Sequence, residues 1–479
     1  MYDVIIIGAG IIGTAAAREL AKYKLNILVL EKGADCSCGA SKANSGIIHA
    51  GYDCAPNSLK ARFNVRGSFL YRQLVRDLDI PYKNNGSMVL AFNQDETAKL
   101  SSLKEQGEKN GVDGLSILNC QQILNMESYV NPDVSSALYA PSAAIISPFE
   151  ATIAFAESAY TNGVHFSFDT EVTGINWVDN VFEVLTNAKS FKTKTIVNTA
   201  GLYSDVINNF VNEEKYHITP VKGEYLLLDK TAKYITDKTL FKMPSVMGKG
   251  VLVLPTVHDN ILVGPSADNM EHKTNLSTDG NILKNNAETA KTIIPDLPLQ
   301  YVITSFAGLR AKEKDSEDFI IGSGSVKGFV NAVGINSPGL SAAPAIAEYI
   351  CDLITEYINP KANTAFIKER AREKAFAEQS FEEQKKMIAR DSNFGKIVCR
   401  CEQVTEADIR NAIKSKPGAT TIDGIKFRAR AGSGRCQGGF CSLRVIEILA
   451  EELGVLPEQV TKFGGSSYVL KGGGAYEDC

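Results

Sequence analysis

Four of the ten cysteines stand in two close pairs near the end of the chain. One residue separates Cys399 from Cys401, and four residues separate Cys436 from Cys441. Paired thiolates hold metal centres, either a zinc ion or an iron–sulfur cluster, and zinc sites typically leave about two to four residues within a pair. Glycines around the second pair leave backbone N–H groups free to approach sulfide and thiolate sulfurs. The spacing therefore favours a 2Fe–2S cluster over a structural zinc site or four incidental thiols.

A second chemical signature opens the chain. Residues 4–7 are an apolar run typical of a buried parallel strand, and the glycines of a G-x-G-x-x-G pattern follow at once as Gly8, Gly10 and Gly13. In this pattern the glycines allow a tight turn, close approach to a pyrophosphate, and packing of helix on strand. Glu31 ends the next apolar run, where a carboxylate accepts hydrogen bonds from a ribose hydroxyl. We predict a dinucleotide site rather than a glycine-rich turn without a ligand.

Residues 39–52 are rich in small side chains, as expected where backbone approaches a large flat ligand. Ser41, Asn44 and Ser45 offer hydrogen bonds, and residues 46–50 are too apolar for an ordinary surface turn. We predict that this segment, called the cofactor loop below, lines the dinucleotide.

The elements that must position these residues alternate between helix and strand. Up to residue 201 the pattern predicts a helix at 59–78, a strand at 86–92, a helix at 95–110, a loop and then a helix within 140–160, strands within 164–186 that turn at Asp179-Asn180, and a buried strand at 194–201. This last strand would join the parallel sheet and bring Ala200 and Gly201 beside the dinucleotide.

The second half of the chain is predicted to leave the nucleotide-binding part and return to it. Strands at 225–229 and 251–254 indicate an antiparallel sheet in a substrate-binding part inserted at 220–303. The nucleotide-binding part then resumes at 306–310, with strands at 319–322 and 329–334, a glycine-rich turn at 335–341 and a helix at 342–357. Residues 361–392 are highly charged and predict a solvated helical connector.

These motifs resemble a known family. The matching segments are GAGIIG at 8–13, Glu31, SKANSGIIHAG at 41–51, VNTAG at 197–201 and VGINSPGLSAAPAIAE at 333–348, and they resemble the D-amino-acid oxidase-like FAD oxidoreductases. Residues 44–62 and 220–229 look like the branch that contains glycerol-3-phosphate and L-2-hydroxyglutarate dehydrogenases. Residues 396–450 resemble the bacterioferritin-associated-ferredoxin-like 2Fe–2S domain, with Cys399, Cys401, Cys436 and Cys441 at its cysteine positions.

The resemblance implies an α/β fold. We expect a Rossmann-type FAD-binding domain with an inserted antiparallel-sheet substrate domain, and a small α+β iron–sulfur domain at the C-terminal end. The predicted boundaries are 1–375 for the FAD-dependent oxidoreductase domain, 376–394 for a charged helical linker, 395–455 for the 2Fe–2S domain and 456–479 for a tail.

The resemblance also implies the residues that hold FAD, which come from the glycine loop, the cofactor loop and the ends of later strands. They are Gly8, Gly10, Ile11, Ile12, Gly13, Glu31, Lys32, Ser41, Asn44, Ser45, Gly46, Ile48, Val172, Ala200, Gly201, Gly308, Gly334, Pro338, Gly339 and Leu340.

The implied reaction is oxidation of sn-glycerol 3-phosphate to dihydroxyacetone phosphate, with hydride passed to flavin N5. His49 is the first candidate for the base, and its alternative is a packing or flavin-contacting histidine. Arg310, expected at the end of a strand, is the candidate cation for the anionic end of the substrate, against a surface arginine. Lys222 is a second cation, or else an exposed strand lysine. Alternatives are an L-2-hydroxyglutarate dehydrogenase, an amine or opine oxidase subunit, and an electron relay without its own substrate.

Bulk composition limits the partners. The net charge of −4 gives no reason to expect nucleic acid, and no apolar run is long enough to span a membrane. The expected substrate is a small anionic 2-hydroxy compound. A 2Fe–2S cluster accepts one electron at a time, so we expect an electron-accepting protein subunit or a quinone, with peripheral membrane contact left open. The apolar N-terminus lacks a basic region before it, so we predict a cytoplasmic protein.

Overall fold

The computed structural model describes residues 1–243 and 250–471. Its strands are β1 (Tyr2–Ile7), β2 (Ile27–Leu30), β3 (Ile47–Ile48), β4 (Tyr82–Lys83), β5 (Ser87–Ala91), β6 (Ser116–Asn119), β7 (Ser136–Ala140), β8 (Ala144–Ile146), β9 (His165–Ser167), β10 (Val172–Val178), β11 (Val181–Thr186), β12 (Phe191–Asn198), β13 (Ile218–Leu228), β14 (Thr239–Lys242), β15 (Leu252–Pro255), β16 (Ile261–Gly264), β17 (Asp268–Asn269), β18 (Val302–Glu313), β19 (Ile320–Ser323), β20 (Phe329–Val333), β21 (Ile397–Cys399) and β22 (Val404–Thr405).

Its α-helices are α1 (Ile11–Leu20), α2 (Leu59–Asp77), α3 (Gln94–Lys109), α4 (Cys120–Met126), α5 (Pro148–Thr161), α6 (Ser204–Asn209), α7 (Gly280–Lys291), α8 (Gly339–Ile358), α9 (Phe381–Arg390), α10 (Glu406–Lys414), α11 (Ile422–Ala429) and α12 (Ser442–Leu453). Within the described ranges, no helix combines the length and apolar character needed to cross a bilayer.

The first sheet has a parallel centre in the order β20-β12-β1-β2-β9, as predicted for the nucleotide-binding part. Side chains of a strand alternate between its faces, so Val4 and Ile6 pack against α1, α5 and α8 while Ile5 and Ile7 pack under β10–β11. Both faces are covered, which explains why β1 is a continuous apolar run. The antiparallel pair β10–β11 turns at Asp179-Asn180, both with positive φ, as predicted.

The second sheet has nine strands and is larger than the predicted insert at 220–303. Its order is β17-β13-β16-β15-β14-β5-β7-β6, with β18 also paired to β13. Most neighbours are antiparallel, as predicted, but β14 runs parallel to β5. The strand predicted at 306–310 to resume the nucleotide-binding part is wrong in its sheet: it is the centre of β18, which runs antiparallel to β13.

Two further expectations were wrong in detail. The predicted loop before α5 contains β8, which pairs with β3 of the cofactor loop and with β4. The predicted connector at 361–392 is helical only in α9 and in short 3₁₀ turns. Its first part instead packs against helices of the first sheet, where Arg370 forms an ion pair with Glu157 of α5.

The C-terminal domain has its own core. Helices α10, α11 and α12 pack around buried Ile409, Ile425 and Leu449, beside the two-stranded β21–β22 pair. Thr405 and Asp408 form the capping box that starts α10, as their spacing predicts. Residues 472–479, in the predicted tail, lie outside the described residues.

Candidate active site

One cavity of about 980 Å³ opens at the carboxyl ends of β1, β2 and β12. Gly8 follows β1, Glu31 follows β2 and Ala200 follows β12, and all three line the cavity. The far end of the cavity is bounded by the second sheet through Phe241, Leu252 and Arg310 of β14, β15 and β18. The two sheets therefore enclose one elongated space with a nucleotide-binding end and a second end.

The glycine loop has the geometry its sequence predicts. Gly8 has φ +105°, and a Cβ added at Gly13 would lie 1.9 Å from the carbonyl oxygen of Gly8. Gly13 is thus needed for packing of α1 on β1, and it does not line the cavity, although it was predicted among the cofactor-binding residues. Helix α1 begins at Ile11, so its first N–H groups and the positive end of its dipole face the cavity.

Glu31 holds this loop in place. Its carboxylate accepts hydrogen bonds from the backbone N–H of Ala9 and of Gly33, both at 2.8 Å. Burial raises the pKa of Glu31, and these two N–H groups act in the opposite direction by stabilising the charged form. The carboxylate thus stands on the cavity wall with a fixed orientation.

The cofactor loop crosses the middle of the cavity. Ser41 Oγ accepts a hydrogen bond from Ile11 N at 2.9 Å, and Ser45 Oγ lies 3.2 Å from the hydroxyl of Tyr225. Gly308 on β18 supports the loop from behind, because a Cβ there would lie 1.9 Å from the carbonyl oxygen of Ala43. Ser41 and Ser45 therefore connect the loop to α1 and to β13, and both line the cavity together with Asn44.

His49 and Arg310 line the second end of the cavity. The backbone N–H of His49 donates to Ser341 Oγ at 2.8 Å, and its ring centroid lies 6.1 Å from that of Phe241. Arg310 lies within β18 rather than at a strand end, and its Nη1 donates to the carbonyl oxygen of Ser266 at 3.3 Å. A Cβ added at Gly223 would lie 2.6 Å from Arg310 Nη2, so this glycine makes room for the guanidinium.

Lys222 is the predicted cation that the structure does not bring to the cavity. Its Nζ pairs with Glu224 Oε1 at 2.8 Å, and both side chains are buried. The register explains this placement, since Lys222 lies opposite Leu309 while Val221 lies opposite Arg310, which puts Lys222 and Arg310 on opposite faces of the sheet. Lys222 also donates to the carbonyl oxygen of Ser277 and so fastens the segment before α7.

Most of the predicted cofactor-binding residues line the cavity. The members that do are Gly8, Gly10, Ile11, Ile12, Glu31, Lys32, Ser41, Asn44, Ser45, Val172, Ala200, Gly201, Gly308, Pro338, Gly339 and Leu340. Besides Gly13, three do not. A Cβ on Gly46 would collide with the backbone of β8, and Ile48 is fully buried in the core beside α8. Gly334 has φ +70° and packs against Glu313.

Sequence reasoning missed residues that reach the second end from distant segments. Lys60 opens α2, Lys312 follows Arg310 by two on β18, and both line the cavity with Glu317. Lys60 Nζ donates to the carbonyl oxygen of Glu317, and Lys312 Nζ lies 2.8 Å from its Oε1. The alternation of Gly308, Arg310 and Lys312 along one strand is the signal from which Lys312 follows, since alternate residues of a strand share a face.

The four predicted cluster cysteines come together in two pairs. Cys401 Sγ lies 3.8 Å from Cys436 Sγ, and Cys441 hydrogen-bonds Cys399. This bond, helped by backbone N–H groups and opposed by partial burial, lowers the pKa of Cys399 to about 6. Over residues 1–243 and 250–471, no group of three or more metal-ligating side chains is arranged to hold a single metal ion.

Glycine again provides the space. A Cβ on Gly434 would lie 2.2 Å from the Cβ of Cys401, and Gly438 has φ +91°. Backbone N–H groups of Gly438 and Phe440 stabilise the thiolate of Cys436 and lower its pKa against the effect of burial. The first cysteine of the C-x4-C segment is therefore surrounded by backbone donors that favour its thiolate.

The cluster domain rests against the outside of the cofactor loop. Phe427 of α11 packs on Phe149 with ring centroids 4.9 Å apart, and Lys42 Nζ lies 5.8 Å from the centre of the Phe427 ring. The cluster domain also contacts the 3₁₀ turn that follows β13, where Lys230 pairs with Glu402 at 2.9 Å. One face of α11 thus adjoins the loop that lines the cavity, and Lys426 on the same helix reaches Gln437 in the cluster segment.

These features define a flavin-dependent oxidoreductase joined to an iron–sulfur domain. Residues 3–353 match the model of the FAD dependent oxidoreductase family, and the chain belongs to this family. Residues 397–451 match the BFD-like 2Fe-2S binding domain. The predicted resemblance, the α/β fold and both cofactors are thereby confirmed.

The comparisons with individual proteins are more specific. The chain is 47% identical over 476 residues to glycerol 3-phosphate dehydrogenase of Caloramator mitchellensis, covering 98% of each chain. It is 35% identical over 370 residues to glycerol 3-phosphate oxidase of Mycoplasma genitalium, covering 75% of this chain and 96% of that one. Among solved structures, L-alpha-glycerophosphate oxidase from Mycoplasma pneumoniae with FAD bound gives a TM-score of 0.75 at 31% identity, covering 78% of this chain and 99% of that one.

The residues present fit both groups. Gly8 and Gly308 line the cavity with backbone alone, and the N-terminus of α1 faces it with N–H groups that would hold the pyrophosphate. Glu31 follows β2 and lines the same cavity, where its carboxylate would accept a hydrogen bond from a ribose hydroxyl. The four cysteines lie in two close pairs in the C-terminal domain and would provide the four ligands of a 2Fe–2S cluster.

Proposed function

We propose that this chain oxidises sn-glycerol 3-phosphate to dihydroxyacetone phosphate and passes the electrons through its 2Fe–2S cluster to a separate acceptor. The observation that carries the proposal is that His49 and Arg310 line the same end of the FAD cavity. The near full-length similarity to a glycerol 3-phosphate dehydrogenase supports the substrate. We further propose that the protein works in the cytoplasm.

Arg310 would hold the phosphate group. A guanidinium presents its N–H donors in a planar fork that matches phosphate oxygens. Its Nη1 bond to the Ser266 carbonyl fixes the side chain at one edge and leaves the other donors for the substrate. Lys60, Lys312 and Glu317 line the same cavity and together carry one net positive charge, which favours an anion over a neutral alcohol.

His49 would take the proton from the substrate hydroxyl as the carbon–hydrogen bond breaks. Imidazole titrates near neutral pH and is suited to this role. The bond from its backbone N–H to Ser341 anchors the residue to the start of α8, while the Phe241 ring covers one side of it. Apolar Phe241 and Leu252 line this end and reduce competition from water.

Bound FAD supplies the hydride acceptor, N5 of the isoalloxazine ring. The chain's own contribution is to orient the alcohol carbon between the cofactor loop and β18. The close packing of the cofactor loop on Gly308 fixes the distance between the loop and β18.

The cluster domain distinguishes this chain from the relatives named oxidases. They are covered almost completely by about three quarters of this chain, whereas the relative named a dehydrogenase is matched over nearly all of it. A cluster that accepts single electrons provides a route away from the flavin other than direct reaction with oxygen. We therefore propose a redox protein or a quinone as the acceptor.

An anaerobic mixing experiment tests the proposal. Glycerol 3-phosphate is expected to bleach the flavin band first and then reduce the cluster absorbance. Bleaching by L-2-hydroxyglutarate alone would reassign the substrate and overturn the proposal. If dithionite reduces the enzyme but neither glycerol 3-phosphate nor L-2-hydroxyglutarate does, the result would indicate an electron relay or an amine substrate.

A pair of arginine variants tests the phosphate site. Arg310→Met is expected to lower kcat/KM for glycerol 3-phosphate by about a hundredfold or more, the usual cost of a lost charge-assisted contact. Arg66→Met is the matched control, because Arg66 lies on the surface of α2 in an ion pair with Glu348. Equal activity of the two variants would remove Arg310 from the phosphate site.

A further inference from the structure

The cluster segment exposes large apolar side chains beside its ligands. Phe440 directly precedes the ligand Cys441 and is 91% exposed, and Leu443, in the first turn of α12, is 63% exposed. Cys401 is itself exposed and Cys436 is partly so. Phe440 and Leu443 therefore stand at the side where the cluster reaches the surface. Apolar exposure next to an accessible redox centre is typical of a contact surface rather than of an ordinary loop.

Exposed positive charge accompanies these side chains. Arg400 lies between Cys399 and Cys401 and is exposed, and Arg435 directly precedes Cys436 with 69% of its side chain accessible. Arg400 makes no ion pair within residues 1–243 and 250–471.

Nearby negative charge is largely covered. Glu402 is 4% exposed and engaged by Lys230 and Arg430. Asp229, the partner of Arg435, is 13% exposed. The exposed acids on α12, Glu447 and Glu451, each pair with an arginine: Glu447 lies 2.7 Å from Arg444 and Glu451 lies 2.6 Å from Arg410.

We propose that Arg400, Arg435, Phe440 and Leu443, together called the exit surface, dock an acidic single-electron carrier protein. The proposal rests on the function proposed above, because it assumes that electrons leave through the cluster. An apolar centre with arginines at its sides fits a partner that presents an apolar patch among carboxylates. A quinone would instead need an apolar cleft, and the exit surface projects outward.

The electron count sets the stoichiometry. Each alcohol oxidised to a ketone releases two electrons and two protons. The cluster gives up one electron at a time, so two oxidised carriers are each reduced by one electron for every substrate consumed. The two protons pass to solvent. The carrier's reduction potential must lie above that of the substrate couple for this transfer to be downhill.

The test uses the complete holoenzyme with substrate and two soluble carriers of opposite charge. Oxidised rubredoxin, an acidic one-electron protein, is the probe, and a basic cytochrome c is its counterpart. The second-order rate constant for rubredoxin reduction is expected to fall about tenfold between low and high salt, as for an electrostatically steered encounter. Cytochrome c is expected to react more slowly at low salt and to gain rate as salt is added.

Variants separate docking from cluster integrity. Phe440→Ala and Leu443→Ser are expected to lower the rubredoxin rate constant about fivefold or more, in the range of interface anchor residues. Reduction of a small dye and the cluster absorbance should stay as in the parent enzyme, because both substitutions change side chains only and keep the backbone N–H of Phe440 that bonds Cys436. Arg400→Gln with Arg435→Gln should flatten the salt dependence. Phe381→Ala is the matched control, since Phe381 is 69% exposed on α9 and is not part of the exit surface.

Each outcome decides the proposal. Equal rates for both carriers, or unchanged rubredoxin rates in the Phe440 and Leu443 variants, would overturn it. Efficient reduction of a menaquinone analogue with no effect of these variants would assign the exit to a quinone instead. If glycerol 3-phosphate fails to reduce the enzyme, photochemical reduction of the holoenzyme still permits the carrier assay. Failure of the substrate assignment and failure of the exit surface are thus seen separately.

Discussion

Asp35 and Arg428 form a buried ion pair across the boundary between the FAD domain and the cluster domain, although 393 residues separate them in the chain. The pair uses both carboxylate oxygens, with Arg428 Nη2 2.8 Å from Asp35 Oδ1, and neither side chain is more than 8% exposed. Arg428 lies on α11, and Asp35 lies in the segment that follows Glu31. The fork-shaped contact therefore fixes the cluster domain relative to the nucleotide end of the cavity.

Breaking this pair should slow electron transfer between the cofactors while leaving substrate oxidation intact. Arg428→Met leaves the Asp35 carboxylate buried without its partner, which costs about 3–5 kcal/mol in comparable cases. We expect the substrate to bleach the flavin at the parent rate. We expect the cluster to be reduced at least tenfold more slowly, because the cluster domain is then docked on the FAD domain in a smaller fraction of the molecules. Stopped-flow absorbance at the two bands measures both steps. Parallel slowing of both bands would contradict this role.

Gly308→Ala should release the cofactor loop and with it FAD. Its new methyl group would lie 1.9 Å from the Ala43 carbonyl oxygen, so the loop or β18 must move. Such overpacking costs about 1–3 kcal/mol, and we expect purified enzyme with reduced flavin content and weaker FAD binding. Gly280→Ala is the control, because a Cβ there meets nothing within 4 Å. Equal flavin content in the two variants would show that close packing of Gly308 against Ala43 is not needed for FAD binding.

The ion pair of Glu150 with His258 should make stability depend on acid pH. Burial would raise the pKa of Glu150, but the hydrogen bond and charge of His258, at 2.7 Å, outweigh it and lower the pKa to about 2. A carboxyl with a lowered pKa stabilises the fold fully above its unfolded pKa of about 4.3, and the contribution disappears as pH falls toward the folded value. The effect is on the order of 3 kcal/mol.

Urea unfolding followed by fluorescence of the single tryptophan, Trp177, measures this contribution. Between pH 5 and pH 3 the parent enzyme should lose unfolding free energy more steeply than Glu150→Gln. The variant should already be less stable at pH 7. Parallel pH profiles would show that Glu150 does not carry the effect.

Cys401→Ser should remove the cluster and spare the flavin. The thiol lies at the surface in the pair with Cys436, and serine is a poor ligand for iron in its place. We expect loss of cluster absorbance, flavin content within error of the parent, and retained reduction of the flavin by glycerol 3-phosphate. Cys120→Ser is the control, since Cys120 lies on α4, which packs against the core of the second sheet. Loss of flavin in the Cys401 variant alone would mean that the domains fold as one unit.

Local patterns predicted the nucleotide end of the site well. The glycine loop, Glu31 and the cofactor loop lie within the first 52 residues, and each was read from neighbouring residues whose geometry is set by local backbone chemistry. The cysteine pairs were likewise recognisable, because ligand spacing is a local property.

The substrate end was harder because it depends on strand register. Arg310 and Lys222 both read as strand cations near glycines, yet the pairing of Val221 with Arg310 places them on opposite faces. A pattern of alternating residues does not say which sheet a strand joins, so β18 was assigned to the wrong one. Lys60 was missed since it comes from the start of a helix more than two hundred residues away from β18.

The position of β1 at the centre of the first sheet has a consequence for synthesis of the chain. Its neighbours β12 and, one further out, β20 end at Asn198 and Val333, and α1 packs against α8, which ends at Ile358. A ribosome therefore makes nearly three quarters of the polypeptide before β1 is fully enclosed. Until then, the apolar segment that forms β1 stays uncovered in the nascent chain. Products terminated before this point would be clients of chaperones or proteases, whereas one terminated just after Ile358 contains every residue that lines the cavity. Such a fragment would be a flavoprotein of oxidase length, with no single-electron outlet.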